Sequence, residues 1–279
     1  MLFRSHSIGN HAQRKQVLIH TLKLWRERGD DREVARTLRQ LSDANRWLDL
    51  YEEGIEQAKE ASEISKQLND RSEQAKSWQY LALLFRGNNQ LDAAEDAASQ
   101  ALDHFQDEGN QFGVCQCHRL LGVIYSGKNE TEKAIHHYET ALGIASSFNW
   151  HDEQLWNHFG LVELLLDENR FDDARTHAHH AKSHAVNDPY LLGRAMELQA
   201  WVWHREGRFE DAKAEILRAV DVFERLGAAK ELERCRDTLQ STEEAINEPA
   251  TSDEDSDGEL LETIPLLHLL TSCSQLGQL

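Results

Sequence analysis

Residues 78–101 read WQYLALLFRGNNQLDAAEDAASQA, and the fold can be predicted from them. Its apolar and small residues recur at three- and four-residue steps on either side of the polar turn at residues 87–89, which places them on one side of two helices. These residues are Trp78, Leu81, Ala82 and Phe85 before the turn, and Leu91, Ala94, Ala98 and Ala101 after it. The stretch therefore predicts two helices joined by a short turn.

The same pattern recurs along the chain at a near-constant interval. Three series of mostly small residues carry it, each with steps of 40, 40, 40 and 38 residues. The series are Ala61, Ala101, Ala141, Ala181 and Ala219; Gly54, Ala94, Ala134, Ala174 and Ala212; and Ser42, Ala82, Gly122, Val162 and Ala200. Small residues beside large ones let neighbouring helices approach closely, and a period of this length is typical of stacked helical repeats. The sequence therefore predicts an all-α protein.

This pattern resembles the tetratricopeptide repeat, in which small, aromatic and alanine positions fall at these offsets. The resemblance covers residues 11–245, and the interval of 40 matches the longer-repeat type of that family rather than the common unit of about 34. It implies a right-handed α-solenoid in which the first helix of each repeat lines the concave surface. The chain also resembles the repeat tails of fungal NACHT/STAND-type multidomain proteins, which carry a signalling NTPase domain upstream.

The domain boundaries follow from the interval and from composition. We expect a disordered N-terminus at 1–10, a superhelix at 11–246 and an acidic disordered tail at 247–279. Within the superhelix we expect a half repeat at 11–30, repeats at 31–70, 71–110, 111–150, 151–188 and 189–228, and a capping helix at 229–246. The last stretch, residues 264–279, is either a short docking helix or an irregular end.

Charge and hydropathy exclude several classes of partner. The formal net charge is −19, and residues 237–279 hold ten acidic residues and no Lys or Arg. An acidic chain repels nucleic acid, because phosphate binding needs a basic surface. No apolar run reaches the length of a membrane span, and the N-terminus lacks a signal peptide, so we expect a soluble cytoplasmic protein. Cys115 and Cys117 are interpreted as ordinary buried thiols rather than a disulfide or metal pair.

One stretch imitates a phosphate-binding loop. Residues 122–128 read GVIYSGK, but Asn129 stands where such a loop needs Ser or Thr to hold magnesium, and no strand precedes the motif. We interpret Gly122 as a small repeat position and Gly127 as the start of a turn. No nucleophile–base pair stands out elsewhere, so we expect no catalytic residue, no cofactor and no enzymatic activity.

A histidine-rich helix offers the other enzyme-like signal. His177, His180 and His184 fall at three- and four-residue steps, with Asp173 nearby, a spacing at which side chains could share a metal ion. A solvated His-rich surface is much the commoner explanation of such a pattern, and we predict no metal site. A metal-dependent activity centred on these histidines is the most distant of the functional hypotheses.

The positions expected to face the concave surface are basic and aromatic. They are Arg39, Arg46, Trp47, Lys76, Gln79, Arg86, Gln116, Arg119, Trp156, Phe159, Arg194, Trp201, His204 and Arg205. Arg and aromatic side chains anchor interfaces, and Arg pairs bidentately with carboxylates. The leading hypothesis is therefore an adaptor whose groove binds an acidic peptide. The simpler alternative is a solvated helix surface whose bases pair with neighbouring acids.

Two further hypotheses concern the chain's own tail as a ligand of the groove and a catalytic domain upstream of the repeats. Residues 253–262 join acidic residues to Leu260 and Leu261, so the chain's own tail could fill the groove as a tethered ligand. Ser252 and Ser256 each have an acid three residues on, a context suited to phosphorylation that would tighten such binding. Alternatively, the chain is the sensing or scaffolding region of a STAND-type signalling NTPase whose catalytic domain is absent here.

Overall fold

The computed structural model describes residues 2–247, with side chains described from residue 11 onward. Over this range the protein is all-α, with twelve helices and no strand. The helices are α1 (Leu2–Arg28), α2 (Asp31–Trp47), α3 (Tyr51–Gln67), α4 (Arg71–Gly87), α5 (Leu91–Asp107), α6 (Gln111–Gly127), α7 (Thr131–Ser147), α8 (His151–Asp167), α9 (Phe171–His184), α10 (Pro189–Arg205), α11 (Phe209–Leu226) and α12 (Ala229–Asn247). Residues 248–279, which include Ser252, Ser256 and the segment 253–262, lie outside the described residues.

First and second helices alternate along the chain. The first helices of the repeats are α2, α4, α6, α8 and α10, and the second helices are α3, α5, α7, α9 and α11. Helix α1 stands where a half repeat is expected, although it begins at Leu2 rather than near residue 11. Helix α12 occupies the place of the expected capping helix. The prediction of an all-α helical-repeat fold is confirmed.

The chain forms two compact units, which divide in the first turn of α8. Unit 1 ends at Glu153, and its helices α1 to α7 pack on one another in chain order. In this unit the first helices also touch, α2 against α4 and α4 against α6. Unit 2 begins at Gln154; in it α9 packs on α10, α10 on α11 and α11 on α12, and α10 also touches α12.

The turns repeat as regularly as the helices. A residue in the left-handed conformation, with φ between 53° and 73°, follows most of the helices. These residues are Gly29, Asp49, Asn69, Asn89, Gly109, Asn129, Asn149, Asn169, Gly207 and Gly227. Gly, Asn and Asp tolerate this conformation best, so each position reverses the chain at low cost. The series keeps a step of 20 residues up to Asn169 and breaks at α9, which has 14 residues where α8 has 17. This short helix lies where the repeat interval drops from 40 to 38.

Side-chain caps begin four of the first helices, α2, α4, α6 and α10. Asp30, Asp70 and Asn110 each accept a hydrogen bond from the backbone N–H three residues on, at 3.2, 3.1 and 3.0 Å. Asp188 caps α10 in the same way, with Pro189 at the first helical position. The residues that precede the second helices α3, α5, α7, α9 and α11 make no such bond. The N-terminal ends of these four helices are therefore capped by side chains, and those of the second helices are not.

The small residues of the repeat lie in the core. Each alanine of the first series, from Ala61 to Ala219, is fully buried. Gly122 lies against the ring of Tyr138, where an added Cβ would come within 3.0 Å of the ring. This contact confirms that Gly122 is a packing position of the repeat. Large rings thus fill the space that the small residues leave, as the sequence predicts.

Two other predictions concern the cysteines of α6 and the length and hydropathy of the helices. Cys115 and Cys117 are both buried, and burial raises the pKa of each thiol to about 12. Such thiols are protonated near neutral pH and therefore poorly reactive, which agrees with their interpretation as core residues. Among the helices described between residues 2 and 247, none is long and apolar enough to cross a membrane.

Candidate functional site

The predicted groove residues lie on the first helices of both units. We call the side chains of α2, α4 and α6, together with Glu153, the first-helix face of unit 1. The first-helix face of unit 2 comprises residues 154–167 of α8 and the side chains of α10 and α12.

On α2, the carboxylate of Asp43 pairs with two arginines near the C-terminal end of the helix. It accepts hydrogen bonds from Arg14 of α1 at 3.0 Å and from Arg46 at 2.8 Å. The Arg46 guanidinium lies 4.5 Å from the centre of the Trp47 ring, within cation–π range. Trp47 in turn stacks on His11, with ring centres 5.0 Å apart. The predicted residues Arg46 and Trp47 therefore connect α2 to α1.

A buried acid on α4 holds the next basic residues. Glu73 is 4% exposed and accepts a hydrogen bond from Nε of Arg39. The Lys76 ammonium lies 3.9 Å from the same carboxylate. The Arg39 guanidinium also lies 5.4 Å from the centre of the Tyr80 ring. Arg39 thus spans from one repeat to the next with its orientation fixed by two contacts.

Four side chains form a hydrogen-bonded ladder across α4, α6 and the first turn of α8. Gln79 donates Nε2 to Gln116 at 3.1 Å, and Gln116 donates Nε2 to Glu153 at 3.2 Å. Arg119 donates Nε to the other carboxylate oxygen of Glu153 at 3.0 Å. The ladder brings three of the predicted groove residues together.

The cations of the unit 1 face are matched by acids. Arg39, Arg46, Lys76 and Arg119 each lie within 4.0 Å of a carboxylate of the same face. Arg86 lies half-buried in the last turn of α4. The face therefore has mixed rather than purely basic charge, as the simpler alternative expects, while its guanidinium groups are held in fixed positions.

In unit 2, three predicted residues surround one small cavity. Phe159 of α8 and both Arg194 and Trp201 of α10 line it. Its other lining residues are Glu163, Glu197 and Leu198. Trp156 meets the Phe159 ring edge to face, with centres 5.5 Å apart.

Three predicted residues of α10 are hydrogen-bonded to neighbouring helices. Trp201 donates Nε1 to the Thr238 hydroxyl of α12 at 2.9 Å. Nδ1 of His204 lies 3.1 Å from the hydroxyl of Thr242. Arg205 donates Nη2 to the backbone carbonyl of Leu166 at 3.0 Å. These bonds orient the three side chains from α8 and α12.

Two acids in this cavity were missing from the sequence prediction. Glu163 is 9% exposed, and burial raises the pKa of its carboxyl to about 8. Glu197 is 1% exposed and accepts two hydrogen bonds from Arg234, from Nε and, at 2.6 Å, from Nη2. The available signal was their position, since Glu163 lies one turn after Phe159 and Glu197 one turn before Trp201.

Two histidine pairs at equivalent repeat positions also escaped the sequence prediction. Nδ1 of His118 lies 2.9 Å from Nδ1 of His137 in unit 1, and Nδ1 of His158 lies 2.8 Å from Nδ1 of His177 in unit 2. Both partners recur after 40 residues, so the repeat interval itself was the signal. Burial lowers the pKa of His137 to about 4 and that of His158 to about 3. His137 and His158 are therefore neutral near pH 7.

The histidines considered as metal ligands lie around His158. His180 and His184 stack on its ring, with centres 5.4 and 5.9 Å away. Among the side chains described between residues 11 and 247, no three His, Cys, Asp or Glu residues are placed to hold one metal ion. The geometry thus gives no support to a metal-dependent activity.

The family resemblance can now be set against known proteins. Residues 73–147 match the family model of the tetratricopeptide repeat. These residues are tetratricopeptide repeats. The match includes most of α4 and all of α5. No curated protein sequence matches the chain.

Solved structures share the repeat fold over most of the chain. A STAND protein with a tetratricopeptide repeat sensor from Pyrococcus horikoshii is 15% identical, with a TM-score of 0.69 over 88% of this chain and 39% of that one. The quorum sensor NprR from B. thuringiensis is 16% identical, with a TM-score of 0.65 over 86% and 67%. A Rap protein complexed with competence and sporulation factor is 14% identical, with a TM-score of 0.63 over 86% and 72%. At these identities the likeness concerns the fold.

Proposed function

We propose that the protein is a non-enzymatic adaptor, acting in the cytoplasm, whose first-helix faces bind a peptide segment of a partner protein. The observation that carries this proposal is the orientation of Arg39 and Arg119 on the unit 1 face. Each is half-buried and donates Nε to an acid 34 residues further along, in the next repeat. Guanidinium groups held in this way lose little conformational freedom when a ligand binds.

An acidic segment is the partner that suits these side chains. A guanidinium offers five N–H donors in one plane, and Arg39 uses Nε for Glu73. A carboxylate of the partner would approach the remaining edge of the guanidinium, and Tyr80 supplies neighbouring aromatic surface. Because Glu73 and Glu153 already balance the arginines, recognition would depend on hydrogen-bond geometry more than on net charge.

The structural relatives support a peptide or protein ligand in general terms. The Rap protein of the same fold is complexed with competence and sporulation factor. By contrast, the likeness to the STAND protein concerns its repeat sensor fold and gives no preference to the hypothesis that this chain is the sensing region of a signalling NTPase.

The chain's own tail is the alternative occupant of the same face. Residues 253–262 carry the acids and the leucines that such a site would bind, and phosphorylation of Ser252 or Ser256 would add charge. A tethered segment would compete with external ligands at high effective concentration. A chain that ends at residue 247 would then bind external partners more strongly than the full chain.

The adaptor proposal is tested by affinity purification from lysate with the full chain and the chain ending at residue 247 as baits. An Arg39→Gln/Arg119→Gln variant removes the two oriented guanidinium groups. Arg218→Gln/Arg225→Gln is the matched control, since both of these arginines pair with acids of their own helix α11 and are exposed. Circular dichroism would verify that each bait is folded.

We expect partners that the wild type and the control variant retain and that the Arg39→Gln/Arg119→Gln variant loses. Acidic segments in those partners would then be mapped by peptide binding. If all baits captured the same proteins, the first-helix face of unit 1 would not be the binding surface.

A further inference from the structure

Three aromatic side chains of unit 1, Phe112, Phe148 and Trp150, form an exposed cluster beside the turn between α7 and α8. The Trp150 ring stacks on Phe148, with ring centres 4.7 Å apart, and meets the Phe112 ring edge to face at 5.0 Å. Trp150 is half-buried against the core around Cys115, whereas Phe112 is 45% exposed and Phe148 49%. We call these three residues the aromatic cluster. It presents ring surface to solvent from an anchored position, and clustered exposed apolar side chains are typical of interaction sites.

The repeat fold does not require these rings. Forty residues earlier, the same three positions hold small or polar residues, namely Ser72, Glu108 and Asn110. Asn110 caps helix α6 with its side chain, whereas the indole of Trp150 only donates hydrogen bonds and cannot cap α8 in that way. Because the equivalent turn forms without rings and with a better cap, the aromatic cluster indicates binding rather than folding.

The charges beside the aromatic cluster favour a cation as its ligand. Residues 104–112 and 144–152, which contain the three rings, include three acids and no Lys or Arg. Asp107 lies 3.7 Å from Arg71. Glu108 and Asp152 are exposed, and no Lys, Arg or His described between residues 11 and 247 forms an ion pair with either. Two carboxylates are therefore available next to the rings.

An arginine side chain suits both features of this surface. Its planar guanidinium stacks on aromatic rings, and its N–H groups donate to carboxylates in the same plane. A lysine ammonium is a more strongly hydrated point charge and cannot stack in this way. Glu108 precedes Phe112 by four residues, and Asp152 follows Trp150 by two, so an acid flanks the rings on either side along the chain.

We propose that the aromatic cluster binds an arginine side chain of a partner protein, with the guanidinium stacked on the rings and donating to Glu108 or Asp152. This site is additional to the one in the adaptor proposal, because neither Arg39 nor Arg119 takes part in it. The chain's own tail is not its ligand, since residues 237–279 contain no Arg.

The test uses the full chain labelled with ¹⁵N at the indole nitrogens of its seven tryptophans. The Trp150 signal is assigned by its loss in Trp150→Phe. The probe is acetyl-Gly-Arg-Gly-amide, and the same peptide with citrulline in place of arginine is the uncharged control of similar shape.

Two double variants separate the flanking acids from charge in general. Glu108→Gln/Asp152→Asn removes the acids beside the rings. Asp96→Asn/Glu139→Gln is the matched control, because it removes two exposed acids from the middle of α5 and α7.

We expect the arginine peptide to shift the Trp150 signal saturably, in the millimolar range that one stacked ion pair supports, and the citrulline peptide to leave the signal unchanged. Glu108→Gln/Asp152→Asn should weaken binding about twofold to tenfold, since exposed ion pairs contribute modestly. Asp96→Asn/Glu139→Gln should bind like the wild type.

An unmoved Trp150 signal, or equal shifts from both peptides, would overturn the proposal. A Trp150 signal that moves with protein concentration alone would also overturn it and assign the aromatic cluster to contacts between copies of the chain. If Trp150→Phe failed to fold, Phe148→Leu would identify the signal by its shift, because the Phe148 ring stacks on the indole. The peptide test needs no partner protein and leaves Arg39 and Arg119 unchanged, so this proposal and the adaptor proposal can fail separately.

Discussion

Single glycines decide how closely helices approach in unit 1. Gly113 lies against the ring of Phe105, and an added Cβ would fall 2.5 Å from that ring. Phe105 is 2% exposed and packed in the core, so it has little room to shift. Gly143, in the exposed part of α7, has nothing within 4 Å of an added Cβ. The two glycines therefore have opposite sensitivities to alanine.

We expect Gly113→Ala to lower the free energy of unfolding by about 1–3 kcal/mol, because overpacking a core costs that much. Gly143→Ala should raise it by up to about 1 kcal/mol, because alanine favours a helix interior over glycine. Urea unfolding of both variants beside the wild type measures the difference. Equal effects of the two substitutions would show that Gly113 is not a packing position.

The low pKa of His158, in the histidine pair of unit 2, makes the free energy of unfolding depend on pH. The pKa of His158, about 3 in the folded protein, lies below the ordinary value of 6.5 because of burial and of the charges of His177, His180 and His184. Between these values the unfolded chain binds more protons, so the contribution of His158 is complete above about pH 6.5 and is lost as the pH falls.

Urea unfolding at about pH 7.5 and about pH 5 tests this dependence. The wild type should lose more stability between the two conditions than His158→Gln, which cannot titrate at that position. His20→Gln, which alters an exposed histidine of α1, should behave like the wild type. A loss of the same size in all three proteins would contradict the account of the buried pair.

For single helices, the side-chain caps at the N-terminal ends depend on the position of the helix in the repeat. Asn110 accepts a hydrogen bond from the backbone N–H of Gly113 at the start of α6, whereas Gln90 makes no such bond at the start of α5. We expect Asn110→Ala to lower the free energy of unfolding by about 1 kcal/mol, the usual contribution of a side-chain cap. Gln90→Ala is the matched control and should be nearly neutral in the same denaturation assay. Comparable losses would place the stabilisation elsewhere than in the cap.

Helices and their pairing could be predicted because small residues must recur wherever two helices cross closely. The interval even marks α9, since the shorter helix shortens the repeat by two residues. The length of α1 could not be predicted, because its first residues carry none of the small positions on which the interval depends. The side-chain caps could also have been predicted from the sequence, since Asp30, Asp70 and Asn110 recur after 40 residues.

At the scale of the whole molecule, the charge pattern illustrates what sequence leaves open. The positions of Arg39 and Arg119 on first helices follow from the interval, but their acids Glu73 and Glu153 lie 34 residues away in the next repeat. Whether such bases meet acids or solvent depends on side-chain conformations that periodicity does not specify. For the same reason Glu163, which reads as one more surface acid, was not recognised as a buried one.

Site-specific photo-crosslinking can detect directly whether a partner contacts the first-helix faces. A benzophenone amino acid would replace Lys76 on α4 or Trp156 on α8 in the full chain, and Glu139 on the exposed side of α7 as the comparison position. We predict that the same partner is cross-linked from positions 76 and 156 and not from 139. Cross-linking from position 139 alone would contradict this prediction and place the binding surface on the second helices.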